Sequence, residues 1–140
     1  MRNSLEWSLR KVGKFYEKLT DYVNNVYPIL DLNQKIENLN GILEDISLNI
    51  KRVTECMNKE IAYVETVEQE VKEINAIFPE LQGDEKAWAE RRLPYCQYTV
   101  DSCQKEIEEA KKVLKDLQKL EISYKDEDSN LRQKINDFSG

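Results

Sequence analysis

The sequence predicts an all-α protein, an elongated antiparallel three-helix bundle or coiled coil made of a long helical hairpin and a shorter N-terminal helix. Two observations indicate this fold class. Only 4 glycines and 3 prolines interrupt the 140 residues, 34% of which are charged, so the chain has few places to turn. Along most of the chain, apolar residues recur at alternating intervals of three and four, which is the heptad pattern of helices that pack along their length.

The first predicted helix covers residues 4–26. Its apolar positions alternate by four and three residues, and they are Leu5, Leu9, Val12, Tyr16, Leu19, Val23 and Val26. Two asparagines and Pro28 then interrupt the pattern. Because the first turn of a helix does not need the N–H that proline lacks, Pro28 is suited to begin the next helix.

The second predicted helix covers residues 29–78, a rod of about 75 Å at 1.5 Å per residue. Its apolar positions keep the heptad spacing except near Met57 and Ile61, where two four-residue steps are followed by two three-residue steps. These positions are Leu32, Ile36, Leu39, Leu43, Ile46, Ile50, Val53, Met57, Ile61, Val64, Val67, Val71, Ile74 and Phe78.

The clearest predicted turn covers residues 79–84. Pro79 stops the second helix, Gly83 permits an unusual backbone conformation, and Asp84 is able to cap the helix that follows. A short turn between two long helices makes them antiparallel neighbours, which predicts a helical hairpin.

The third predicted helix covers residues 85–125. Pro94 predicts either a kink or a short separate helix before it. The heptad phase survives the acidic run at 126–129, which favours one helix that continues to residue 138 over a fourth, separate helix. Together the three helices form a single predicted domain, residues 1–140.

The first helix is half as long as the second, so it covers only part of the hairpin. Reflecting the chain about the two turns places it beside residues 29–50 of the second helix and 112–133 of the third. The terminal half of the rod is therefore expected to be three helices thick, and the half near the 79–84 turn only two.

Aromatic and basic residues are concentrated in this two-helix half. A two-helix hairpin cannot bury its whole apolar face, which makes these residues a candidate partner-binding site, with ordinary core packing as the alternative. The candidate site residues are Phe78, Leu81, Trp88, Arg91, Arg92, Tyr95 and Tyr98.

Catalytic and cofactor chemistry finds no support in the sequence. The chain has no histidine, so catalytic centres and metal sites that need imidazole are excluded. The glycines are isolated and form no phosphate-binding loop. Cys56, Cys96 and Cys103 are odd in number and lack metal-ligand spacing, so they are interpreted as free thiols. We therefore expect no enzyme activity, no catalytic or metal site and no cofactor.

The net charge of −6 argues against nucleic acid as a partner, because binding it depends on neutralising phosphates with Lys and Arg. We therefore expect a protein-interaction subunit, a scaffold or adaptor within a larger coiled-coil assembly, whose partners are other coiled-coil proteins or further copies of itself. The free thiols favour the cytoplasm, with the nucleus as an alternative.

The alternative function is peripheral membrane association. Residues 1–27 carry five basic and three acidic side chains, a net charge of +2, on an amphipathic helix that also contains Trp7 and Phe15. Such a helix is able to lie on an anionic lipid surface. The regular heptad pattern favours packing against the hairpin instead, so a membrane is not the expected partner.

Two short segments resemble known families. The span Lys51–Asp84, followed by Arg92-Leu93-Pro94-Tyr95-Cys96, resembles the tubulin-binding cofactor A family of small three-helix chaperones. The span Lys59–Phe78 resembles small coiled-coil subunits of lysosome-biogenesis complexes. Each resemblance covers a quarter of the chain or less and includes no diagnostic motif, so it implies helical packing and assigns no functional residue.

Overall fold

The computed structural model describes residues 3–139, and the side chains of residues 4–138. It confirms the predicted all-α fold, with a long helical hairpin, a shorter N-terminal helix and no strand in the described range. The three helices are α1 (Asn3–Asn25), α2 (Leu32–Ile77) and α3 (Gly83–Ser139); single 3-10 turns at Tyr27–Ile29 and Phe78–Glu80 connect them.

The first connection is longer than the sequence predicts. Pro28 lies in the separate 3-10 turn, and α2 begins at Leu32 instead of residue 29. The start is fixed by a capping box, in which Asp31 Oδ1 accepts from the Gln34 backbone N–H at 2.8 Å and Gln34 Oε1 accepts from the Asp31 N–H at 3.0 Å. These two bonds satisfy N–H groups that have no partner within the helix.

The second connection forms the tip of the hairpin. α2 ends at Ile77, Pro79 lies within the 3-10 turn, and the Leu81 N–H donates to the Phe78 carbonyl at 3.1 Å. α3 then opens at Gly83, whose φ of +60° is strained for any residue with a side chain. From there α3 is a single helix that passes through Pro94 and the acidic run to Ser139.

One apolar core joins the three helices. The cluster includes Leu5 and Val12 from α1 and Val53 from α2, and it extends along α3 through Cys96, Val100, Cys103, Ile107, Ala110 and Leu117. Because α1 contributes only to the terminal half, the core there has three sides, whereas α2 and α3 alone face each other towards the tip.

Two contacts fix the position of α1. The Tyr27 hydroxyl donates to Glu127 Oε1 at 2.8 Å, an offset of 100 residues, and the Arg52 guanidinium lies 5.4 Å from the centre of the Trp7 ring. α1 is therefore antiparallel to α2 and parallel to α3, and its C-terminal end lies near Glu127 instead of the expected residue 133. It also reaches Arg52, beyond the expected limit of residue 50, because residues 26–31 lengthen the first connection.

Candidate protein-binding groove

The groove that holds α1 continues beyond the start of α1. On α2, Asp45 and Arg52 lie against α1, and Tyr63, Glu70 and Ile77 follow them at intervals of 11, 7 and 7 residues. Steps of 7 and 11 return to nearly the same side of a helix with 3.6 residues per turn. The three later residues therefore extend the α1-facing side of α2 towards the tip.

α3 shows the same continuity. Burial raises the pKa of the Tyr16 hydroxyl on α1, and the charge of Asp116 on α3 raises it further. The pKa of the Tyr22 hydroxyl is likewise raised by burial and then by Tyr124 of α3. Both residues of α3 thus lie near α1. Tyr98 precedes Asp116 by 18 residues, about five full turns, and Trp88 precedes Tyr124 by 36, about ten. We call the continuation the open groove; its walls are Tyr63, Glu70 and Ile77 on α2 and Trp88, Arg91, Arg92, Tyr95 and Tyr98 on α3.

The open groove exposes aromatic surface. Tyr98 is 67% exposed, and Trp88, Tyr95, Tyr63 and Ile77 are exposed to smaller degrees. Apolar side chains elsewhere, such as Ile29, Ile122 and Phe138, are exposed singly, which is ordinary for a protein surface. Aromatic residues gathered in one groove are unusual, because their burial is among the most favourable contributions to an interface.

The tip end of the open groove forms a shallow pocket of ≈ 460 Å³. Ile77, Leu81 and Trp88 supply its apolar lining, and Asp84 and Glu85 also line it. Of the predicted site residues, only Leu81 and Trp88 belong to this lining. Phe78, although it lies at the tip, is partly buried, and the Lys86 ammonium lies 6.0 Å from its ring centre.

The middle of the open groove is held by an ion pair that joins the two helices. Arg92 Nε donates to Glu70 Oε2 at 3.1 Å, Arg92 Nη2 donates to Glu70 Oε1 at 3.1 Å, and Cys96 Sγ donates to Glu70 Oε2 at 3.0 Å. The Arg92 guanidinium also lies 5.2 Å from the Tyr95 ring centre. Arg92 is thus already paired within the chain, whereas Arg91 is exposed.

The same network changes two pKa values. Hydrogen bonds from Cys96 and then Arg92 lower the pKa of the Glu70 carboxyl, because they stabilise its charged form. Burial, followed by the hydrogen bond to Glu70, raises the pKa of the Cys96 thiol. Cys96 therefore stays protonated at neutral pH and serves as a donor in the core instead of a reactive thiolate.

The lowered pKa of Glu70 predicts an acid-dependent loss of stability. A carboxyl whose folded pKa lies below its unfolded value stabilises the fold above the unfolded pKa, and this contribution is lost as the pH falls through the folded pKa. We expect the variant E70Q to melt below the wild type at pH 7, with the gap closing as the pH falls through the lowered pKa of Glu70. Thermal melts followed by circular dichroism would measure the gap. The matched variant E68Q, on another side of α2, should show no such convergence.

Ile77 and Glu70 were missed by the sequence-based choice of site residues, which began at Phe78. The signal was present, because Tyr63, Glu70 and Ile77 repeat at intervals of seven beside the buried positions of α2. The structure brings Leu81, Trp88, Arg91, Arg92, Tyr95 and Tyr98 to the same side of the hairpin as these three. Their role in binding a partner remains a prediction.

The fold and groove define a class, an elongated all-α hairpin with one partly covered face. Comparison with models of known protein families, with curated proteins and with solved structures found no match. The two short resemblances noted from the sequence therefore carry no argument. Among residues 3–139, no helix is long and apolar enough to cross a membrane, and no cluster of three potential metal ligands occurs.

Proposed function

We propose that the protein is a non-catalytic interaction subunit, a scaffold or adaptor of a larger coiled-coil assembly, that binds helical protein segments in the open groove. One observation carries the proposal. The groove that α1 fills between α2 and α3 continues past α1 without a third helix, and aromatic residues line it. A groove already shaped to hold one helix along part of its length suits another helix along the remainder.

Burial explains why the groove is expected to be filled. Covering apolar surface contributes about 25 cal/mol per Å², and a large aromatic residue buries roughly 150–250 Å². Trp88, Tyr95 and Tyr98 together therefore offer several kcal/mol to a partner that covers them. The free thiols of the buried cysteines favour a reducing compartment, the cytoplasm or the nucleus, for this role.

Membrane association through α1 has less support. A helix that lies on lipid must present its apolar side outwards. In the folded chain Leu5, Val12 and Leu19 point into the bundle, and the Trp7 ring lies 5.4 Å from both the Arg52 guanidinium and the Lys11 ammonium. Lipid binding by α1 would require it to leave the hairpin.

Photocrosslinking tests the proposed function. A benzophenone side chain placed at Tyr98, in the open groove, should form protein adducts in living cells. The matched control is Ile122, which is 61% exposed on α3 but lies on another side of the helix. Adducts from position 98 and none from position 122 support the proposal. Equal adducts from both positions, or none from position 98, would reject it.

A further inference from the structure

We infer that the open groove binds a second copy of this chain, so that two hairpin halves pack antiparallel into a four-helix bundle. The inference rests on the proposed function and specifies its partner. The two-fold axis would cross the rod at the level of Glu70 and lie within the interface. α2 would then face α2 of the second copy, α3 would face α3, and every adjacent pair would be antiparallel, as in common four-helix bundles.

The exposed residues are arranged symmetrically about that level. A two-fold interface must be self-complementary, so residues at equal distances on either side of the axis meet each other's copies. On α2, Tyr63 and Ile77 each lie seven residues from Glu70. The same axis would therefore place the Tyr63 ring of each copy against Ile77 of the other.

The pattern repeats on α3. Glu70 bonds to both Arg92 and Cys96, which puts the axis near residues 93 and 94. Trp88 and Tyr98 lie on opposite sides of that level, each about five residues away. Trp88 would face Tyr98 of the second copy, and Tyr95 would lie close to the axis beside its own counterpart.

The length of the groove fits this overlap. Reflection about Glu70 places Leu81 of the second copy level with residue 59. Since Trp7 is level with Arg52, the first described residues of α1 lie near the level of residue 56. The tip of one copy would therefore end about one helical turn short of α1 of the other. The overlap is about 30 Å long and roughly two helices wide, a footprint of about 600–700 Å². This lies within the ~600–1,000 Å² per partner of standard-size interfaces.

Charge is complementary at both ends of this overlap. The hairpin tip carries Glu80, Asp84 and Glu85 against the single basic residue Lys86, so its net charge is negative. On the receiving copy they would approach Lys59, one turn from Tyr63, and Lys105, seven residues after Tyr98 on the same side of α3. The N-terminus of α1 also lies there, and the positive end of its dipole favours acidic groups.

The mass in solution tests the inference. Sedimentation equilibrium of the full-length chain should give twice the chain mass of 16.5 kDa. W88E and Y98E, both at exposed positions, should shift the protein to monomer while its helical circular dichroism is unchanged. I122E, equally exposed outside the groove, should remain a dimer. A wild-type monomer at all concentrations, or a dimer that W88E and Y98E leave intact, would overturn the inference.

Disulfide trapping tests the antiparallel arrangement. Mixing W88C with Y98C should give a crosslinked heterodimer under mild oxidation. W88C alone should not crosslink, because the two copies of residue 88 would lie about 15 Å apart along the direction of the helices. The opposite result would contradict the antiparallel alignment and overturn the inference.

The two proposals fail in different ways. If the chain is monomeric and position 98 photocrosslinks to another protein, the groove binds a different partner, so the inference is wrong and the proposed function stands. If the chain is monomeric and position 98 forms no adduct, both are wrong.

Discussion

Replacing Leu117 with alanine should lower the free energy of unfolding by about 2–5 kcal/mol, the range measured for large-to-small substitutions at buried sites. Leu117 is fully buried and belongs to the core cluster that contains Leu5 and Val12 of α1 and Val53 of α2. The substitution removes apolar contacts and leaves a cavity between helices that cannot easily close. A domain of this size is stabilised by only ~5–15 kcal/mol in total.

Urea unfolding followed by circular dichroism at a fixed protein concentration would measure this loss. The matched control is I122A, also on α3 and five residues away, whose side chain is mostly exposed; it should change the free energy of unfolding by less than ~0.5 kcal/mol. Equal effects of the two substitutions would mean that Leu117 is not enclosed by three helices. That result would contradict the packing of α1 on the hairpin.

Most of the fold is predictable from the heptad pattern, because that pattern directly records which side of each helix is apolar. The polar core residues are not predictable in this way. Ser8, Asn49 and Glu60 are buried, although a search for apolar spacing passes over them. Around Asn49 and Glu60 it selects Ile50 and Ile61 instead, the next residues along, which are only partly buried.

The position of α1 on the hairpin was less predictable than the helices themselves. Reflection about the first turn depends on where that turn is centred, and each residue of error is doubled in the pairing of the helices. Pro28 indicated a helix start, whereas Asp31 and Gln34 fix it three residues later through their mutual caps. The three-helix end therefore reaches further along α2 than expected.

The candidate site was predicted by composition and refined by geometry. The richness of residues 78–98 in aromatic side chains identified most of one wall. The other wall, Tyr63, Glu70 and Ile77, becomes apparent only when the pairing of α2 with α3 is known. Phe78, although aromatic and near the tip, is partly buried and is not part of the pocket that Ile77, Leu81 and Trp88 line.

Replacing Glu60 with leucine should stabilise the fold by about 1–3 kcal/mol, the usual cost of leaving a buried polar group without a partner. Glu60 is only 5% exposed and lies in the buried row of α2 between Cys56 and Val64. Its Oε2 atom accepts no hydrogen bond in the described part of the chain. Leucine is of similar size and would fill the site without that penalty.

Urea unfolding of two further variants distinguishes removal of the buried carboxylate from the mere addition of a leucine as the cause of the gain in stability. E60Q keeps a polar group in the site and should stabilise less than E60L, whereas E65L adds leucine at an exposed position of α2 and should not stabilise. A loss of stability in E60L would show that the carboxylate makes a favourable contact.

The location of Glu60 suggests a structural reason for keeping a polar residue that lowers the stability of the fold. Glu60 lies at the level where α1 begins and the open groove starts, so the three-helix core ends there. A polar residue in an apolar row opposes sliding of the paired helices, because any shift would bury it against new apolar neighbours. If E60L is more stable than the wild type, Glu60 lowers the free energy of unfolding at the level where only α2 and α3 define the alignment of the hairpin.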